Sequence, residues 1–397
     1  MEFQLTEDQI TTRKWAHEFA ENEIRPVAPH YDETEEFPWP VLKKAAEVGL
    51  YGIEFYTEVV SQDPSGVTLP MVLEELCWGC AGIGLGVFGT GLPLSALASS
   101  GTPDQLFKWA PHMFGTPDDP KVASFCVTEP NAGSDVSALR TRAKRDGDEW
   151  VLNGQKIFAT NGGIANVHVV VATVDPELGH RGQAAFIIGP DTPGIRQGKK
   201  EKKLGIRASH TAEVLLEDCR IPLENVVGGM EKLEAKLGKA KANGATSASH
   251  ALKTFEMTRP SVAAQAIGIA RAAYEFALDY AKQREQFGRP IIEQEGIAFK
   301  LADMAMEIDA ARLLTWRAAW MGRNSMPFDH AEGSMSKLKG GETAVWVTEQ
   351  AVQILGGYGY IKDFPVEKWY RDAKIYTIFE GTSEIQRLVI SRALSRG

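Results

Sequence analysis

The hydrophobic pattern of this chain changes period twice, and those two changes constrain its architecture most. Up to about residue 115 the apolar positions follow helical spacing. Thr6 precedes a mixed segment, Glu7 to Glu23, that ends before Pro26. Pro38 and Pro40 open a second helix, Val41 to Val48, which Gly49 stops, and a third covers Thr68 to Trp78. From Val122 short β-rich runs alternate with Pro and Gly: VASFCVTE, EWVLNGQKIFAT, VHVVVATV, AAFIIG and AEVLLEDCRI. Past residue 230 helical spacing returns, first at Ile267, Ala270, Arg271, Tyr274, Ala277, Leu278 and Ala281, then over 295–321, 330–355 and 383–394. This order predicts an α+β protein of three units: helical over 1–120, β over 121–229 and helical over 230–397. A chain of 397 residues is long enough to need more than one core.

Composition narrows the function classes. The net charge of −9 and the absence of a basic stripe argue against nucleic acid. An anionic ligand must then be met locally, by Arg side chains and backbone N–H groups. Cys77, Cys80, Cys126 and Cys219 are too few for a disulfide framework. Cys77 and Cys80 form a C-x-x-C, but no second pair completes a metal site, so buried core cysteines and no metal are expected. The start MEFQLTEDQI lacks signal and transit patterns, and no run of 18 apolar residues occurs. The expectation is a soluble protein of a reducing compartment, a bacterial cytoplasm, with no membrane partner.

Three segments carry possible chemistry. Gly84, Gly86 and Gly89 match G-x-G-x-x-G, yet they follow a helical stretch and no acid stands at the required distance. They are expected to allow close packing or make room for a ligand. In Phe125–Asp135, FCVTEPNAGSD, a strand runs into a turn rich in Gly and hydroxyl groups that can present donors to a polar ring edge. A plain strand–turn reads the same way. Asn153 to Asn161 forms a second such strand, with Thr160 near its end. In Tyr376–Gln386, YTIFEGTSEIQ, Glu380 follows three apolar or aromatic residues and precedes Gly381. Burial there raises a carboxylate's pKa and suits it to act as a base on carbon. Ser383 and Gln386 have capping-box spacing, so a helix is expected to start at Ser383, its N–H groups favouring an anion.

Together these stretches resemble the acyl-CoA dehydrogenases over essentially the whole chain. The runs FCVTEPNAGSD, NGQKIFATN, REQFG (284–288), QILGGYG (353–359) and RDAKIY…EGTSEIQ (371–386) occur in family order. The resemblance, nearest to medium-chain members, implies an N-terminal helical domain, a central β-barrel-like domain and a C-terminal four-helix bundle. It implies FAD, an acyl-CoA substrate converted to the trans-2-enoyl-CoA, an electron-transferring flavoprotein as acceptor, and a homo-oligomer, a tetramer built from dimers. Residue by residue, Glu380 is the implied base. Phe125, Val127, Thr128, Ser134, Phe158 and Thr160 would line the flavin. Arg284, Gln286, Phe287, Gln294, Gln353 and Gly357 would hold a neighbouring subunit's cofactor, with Thr382 and Glu384 near its phosphates and ribose. Ser134, His180, Arg181, Glu256 and Arg259 would meet CoA, and Phe379 and Gly381 would flank the acyl group.

The sequence departs from the family pattern at several places. Phe158 replaces a frequent Trp, Phe379 a frequent Tyr, and Gln294-Glu295 the usual amide-ending pair. The loop before Phe255 lacks G-x-G-F and carries an insertion over 231–251, whose Leu233 and Leu237 fit a short surface helix. Two other classes share the motifs: an oxygen-reactive relative, acyl-CoA oxidase or flavin monooxygenase, and a non-catalytic acyl-CoA or flavin-binding partner. The first is set against chain length and the presence of Glu380; the second against an intact base and flavin motif together. Leu85 and Phe88, three apart, are expected on one face where the acyl tail ends, which favours short-to-medium chains. Plain core packing of Phe88 is the alternative.

Overall fold

The computed structural model describes residues 4–243 and 250–395, without the side chains of Asn243 and of residues 250–257. The first unit contains seven helices: α1 (Glu7–Phe19), α2 (Ala28–Thr34), α3 (Trp39–Glu47), α4 (Thr68–Gly79), α5 (Ala81–Phe88), α6 (Gly91–Ser100) and α7 (Pro103–Phe114). Thr6 caps α1 in a reciprocal box with Gln9, and Thr102 caps α7 in the same way with Gln105. The expected first helix, 7–23, is divided: α1 ends at Phe19 and a π turn follows over Ala20–Ile24. Gly84 and Gly86 sit buried on α5 and Gly89 caps its end, so the G-x-G-x-x-G forms a helix rather than a strand–turn. Ala81–Ser100 is apolar enough in composition to cross a membrane, with mean hydropathy 1.5, but 67% of its most apolar window is buried inside the fold. The apolar surface is used by the core.

The middle unit is a seven-stranded sheet: β1 (Ala123–Cys126), β2 (Arg142–Asp146), β3 (Glu149–Thr160), β4 (Val167–Thr173), β5 (Gln183–Ile188), β6 (Ile195–Lys200) and β7 (Thr211–Pro222). The order is β1-β4-β2-β3-β7-β6, with β5 on β4. The long β3–β7 pair is antiparallel from Glu149 opposite Pro222 to Thr160 opposite Thr211, with a register shift between Lys156 and Ala159. The sequence pattern misses β2 (RAKRD) and β6 (IRQGKK), whose mostly charged side chains leave no alternation to read. Next comes α8 (Gly229–Asn243), which overlaps the insertion expected over 231–251. Its Leu233 is buried in the sheet's own core with Cys126, Trp150 and Phe186, and Leu237 packs on that core. The start of the 230–397 segment thus belongs by packing to the β unit. Residues 244–249 of the insertion lie outside the described residues.

The last unit contains α9 (His250–Gln283), the short hairpin β8 (Glu285–Gln286) and β9 (Arg289–Pro290), and α10 (Glu295–Arg323), α11 (Glu332–Leu355), α12 (Val366–Ala373) and α13 (Ser383–Leu394). Helices α9, α10 and α11 pack on one another, and α4 of the first unit packs along α9. The contact faces of α9 are rich in alanine (Ala263, Ala266, Ala270, Ala273 and Ala277 are all buried), so neighbouring backbones approach closely. At Gly341 of α11 a Cβ would stand 2.5 Å from the Tyr376 carbonyl oxygen, so glycine there lets the Tyr376–Gly381 segment lie directly on the helix.

Candidate active site

That segment carries the candidate base. Helix α12 ends at Ala373, a 3-10 turn follows to Thr377, and α13 starts at Ser383. Between them Glu380 has φ 53° and Gly381 φ 90°. A left-handed turn is easy for glycine and strained for glutamate, so the surroundings must hold it. Gln386 Nε2 donates to the carbonyls of Glu380 (3.1 Å) and Gly381 (2.9 Å), and Lys337 Nζ donates to the Gly381 carbonyl (2.7 Å). The helix starts where capping-box spacing placed it, but with a different cap. Thr382 is the N-cap, its hydroxyl accepting from the Ile385 N–H, while Gln386 is spent on the turn.

Glu380 lines a cavity of ≈ 110 Å³. Its Oε2 is shielded from solvent and accepts no hydrogen bond among the described residues. Burial pushes this carboxyl above the usual carboxylate range; the charges of Lys337 and Arg259 act against that rise. Glu380, Phe379, Thr160, Leu85, Phe88 and Tyr56 are among the residues that line the cavity. Leu85 and Phe88 therefore do share the cavity face. Phe88 is also core: its ring meets Phe55 edge-on with centroids 5.4 Å apart, and Tyr56 at 6.4 Å. Phe88 thus lines the cavity and packs in the core.

The wall expected to meet a flavin is β1 and β3. Ser124 Oγ donates to the Thr160 carbonyl (2.7 Å), tying the two strands. Phe158 has φ 56° at the register shift in β3, and 61% of it is exposed. A bulge re-aims a side chain in this way. Behind this wall the Val127 carbonyl accepts from Lys156 Nζ (2.8 Å) and the Thr128 carbonyl from the Ile157 N–H (2.9 Å). Phe125 is half-buried, and Ser134 is exposed on the turn that follows.

The second group gathers elsewhere. Arg284, Gln286, Phe287, Gln294 and Gly357 line one open groove of ≈ 570 Å³. Phe287 is 96% exposed, and Gln353 is exposed near the end of α11. The Arg284 guanidinium lies 5.7 Å from the Tyr358 ring centre, and Gln294 Oε1 accepts from Arg289 (3.1 Å). Glu384 is exposed in the first turn of α13.

Among the residues expected to meet CoA, His180 and Arg181 are half-buried in the turn Pro176–Gly182. Gln183 Nε2 donates to the Val136 carbonyl (2.7 Å), bringing that turn beside the one that carries Ser134. Arg259 lies deeper than His180 and Arg181. It is 4% exposed and its Nη1 donates to Ser334 Oγ (2.6 Å), so the guanidinium is turned into the bundle rather than to the surface. The side chain of Glu256 lies outside the described residues.

The comparisons with known proteins agree with one another. The descriptions "Acyl-CoA dehydrogenase, N-terminal domain", "middle domain" and "C-terminal domain" match residues 6–115, 124–219 and 248–395. The chain is 41% identical over 397 residues to a short-chain specific acyl-CoA dehydrogenase of Clostridium acetobutylicum, covering 100% of both. The butyryl-CoA dehydrogenase structure from Megasphaera elsdenii superposes with TM-score 0.89 at 37% identity, with 100% of each chain covered. A chain from a structural study of the electron transferring flavoprotein of Acidaminococcus fermentans superposes with TM-score 0.89 at 38% identity, also covering 100% of both. The chain belongs to the acyl-CoA dehydrogenase family.

It is accordingly an FAD-dependent acyl-CoA dehydrogenase, with the three-domain fold expected from its sequence. The residues present fit that cofactor on structural grounds. The Phe158 ring is exposed in a bulge, and the Thr160 hydroxyl makes no hydrogen bond among the described residues, so both can meet a ligand. Sequence reasoning missed Lys337 and Tyr56. The signal for Lys337 was present: it falls on the helical spacing 337, 340, 341, 344 of buried α11 residues, where a lysine is out of place.

Proposed function

We propose that this dehydrogenase acts on short acyl-CoA thioesters and that Glu380 removes the substrate's α-proton. The observation behind this reading is the ≈ 110 Å³ cavity lined by Glu380, Phe88 and Tyr56 together, with Glu380 Oε2 unpartnered among the described residues. A cavity of about 150 Å³ takes a six-carbon ring, so this one suits an acyl tail of about four carbons. The names of the relatives, short-chain specific and butyryl-CoA dehydrogenase, support the same choice.

A thioester's α-proton is weakly acidic, so the base must be more basic than an ordinary carboxylate and must not be spent on another donor. Burial of Glu380 provides the first condition and its lone Oε2 the second. Charge develops on the thioester oxygen as the proton leaves. The Glu380 N–H, which meets no acceptor among the described residues, can donate to that oxygen. FAD, held by the β1–β3 wall, supplies the hydride acceptor when bound. Ser134, His180 and Arg181 lie where two adjacent turns can meet the CoA part. The electrons pass on to an electron-transferring flavoprotein. The groove around Arg284 and Phe287 is read as the contact with a second copy's cofactor in a tetramer, which light scattering of the FAD-loaded protein tests.

The deciding experiment is anaerobic bleaching of the flavin by acyl-CoAs of increasing length. The expected optimum of kcat/KM is at butyryl-CoA; an optimum at palmitoyl-CoA overturns the proposal. Phe88→Ala should move the optimum to longer chains, by roughly 0.8 kcal/mol or about fourfold per added CH₂. An unchanged profile would show that Phe88 is not the floor. A protein that never bleaches is a binder, and one that recovers quickly in air is an oxidase.

A further inference from the structure

Lys337 is 1% exposed on α11, directly beneath the turn that bears Glu380. A buried ammonium is costly unless a carboxylate or good acceptor meets it. Among the described residues no carboxylate lies within ion-pair distance; the hydrogen bond of Lys337 goes to the Gly381 carbonyl, 2.7 Å away. The charges that face it are Glu380 foremost, then Arg259 from α9, Glu342 on α11 and Glu384 on α13. The turn it holds is strained at Glu380, and the chain just before that turn lies close on α11 at Gly341. A lysine placed here costs the fold stability and returns it at one location, the base.

We propose that Lys337 is a positioning residue for the proton abstraction: by holding the Gly381 carbonyl from below it fixes the left-handed turn that presents Glu380 to the cavity, and it sets a positive charge behind that carboxylate. This rests on Glu380 being the base. Lys337 itself forms and breaks no bond to substrate. Burial lowers its pKa to about 8, with Glu380 acting to raise it, so the ammonium persists at neutral pH. Its charge opposes the burial-driven rise of Glu380. Without it Glu380 holds its proton to higher pH.

The test is single-turnover bleaching of the FAD-loaded enzyme by butyryl-CoA across pH, for wild type, Lys337→Met, Lys337→Gln, Lys337→Arg and Glu380→Gln. Lys339→Met, on the same helix but in a partly exposed pair with Glu307, is the control. Lys337→Met should slow the limiting rate about 10–100-fold with acyl-CoA affinity kept, because the base is misplaced. Its acidic limb should move up by about one pH unit or more, because an opposing charge is gone. Lys337→Gln keeps a donor for the carbonyl and loses the charge, so the limb moves with a smaller loss of rate. Lys337→Arg restores the limb, and Lys339→Met changes neither. Should Lys337→Met fail to fold with FAD, the Gln and Arg variants carry the same comparison. A wild-type limb in both neutral variants overturns the proposal. Wild-type bleaching by Glu380→Gln instead overturns the base assignment beneath it, so the two failures are distinguishable.

Discussion

Two carboxylates in this molecule, one buried and one half-buried with a shielded oxygen, stand near buried ammonium groups, and they are built in opposite ways. In the β domain Glu129 and Lys156 meet directly at 2.8 Å, 6% and 0% exposed. Glu129 also accepts from the N–H groups of Arg140 (2.6 Å) and Thr141 (2.9 Å). Burial pushes its carboxyl up, but the Lys156 ammonium and these donors outweigh it and hold it below the usual range. In the C-terminal domain Lys337 donates to a backbone carbonyl instead, and Glu380 keeps an unpartnered oxygen and a raised pKa. The same two residue types thus give a saturated pair beside the proposed flavin wall, and an unsatisfied carboxylate, the proposed base, at the cavity. Reactivity here comes from withholding partners, not from the charges themselves.

The largest expected effect sharpens that contrast at the reactive end. Glu380→Gln keeps the shape of the side chain and removes the base, so kcat should fall about 10²–10⁴-fold or more, with acyl-CoA binding retained. Thr258, which also lines the cavity, has no group able to replace it. Titrating the variant with butyryl-CoA separates binding from turnover. Near-normal turnover would erase the difference between the two carboxylates.

The saturated pair should respond in stability. Lys156→Met leaves the Glu129 carboxylate buried beside an apolar chain and the Val127 carbonyl without its ammonium. Breaking a buried pair in this way costs about 3–5 kcal/mol. Replacing both partners, Glu129→Leu with Lys156→Met, should recover part of the loss, because no lone charge remains. Urea unfolding of the four proteins gives the cycle. A loss below about 1 kcal/mol for Lys156→Met would make the pair a surface-like contact, against its burial.

The contrast also shows what the sequence made legible. The three-unit order, the long helices α9 to α11 and the strands β3 and β7 were readable, because each element is long and rich in the residues its structure favours. Glu380 was readable because the apolar run and the Gly around it are local. The left-handed φ of Glu380 and Phe158 was not, since neither residue type signals it. Nor was the inward turn of Arg259, whose partner Ser334 lies on a different helix. Glu129 and Lys156 were quoted within their motifs, but their pairing joins the turn after β1 to β3, two residues 27 positions apart in sequence. Sequence spacing reports faces of elements; it does not report which two faces meet.

The smallest expected effect is on stability against pH, and its sign differs between the two sites. Glu380 has its folded pKa raised above the unfolded value, so its stability contribution is full below the unfolded pKa and is lost as pH rises through the folded one. Glu129 has its folded pKa lowered, so its contribution is present above the unfolded pKa and is lost as pH falls through the folded one. Measured without substrate, Glu380→Gln should therefore melt slightly higher than wild type near pH 7, and the gap should close below about pH 4. Glu129→Gln should melt lower than wild type near pH 7 by a larger margin, and that gap should also shrink as pH falls. The check is Tm against pH for the three proteins. If Glu380→Gln melts lower than wild type at neutral pH, the Glu380 carboxylate is satisfied in the fold, and the two sites are built alike after all.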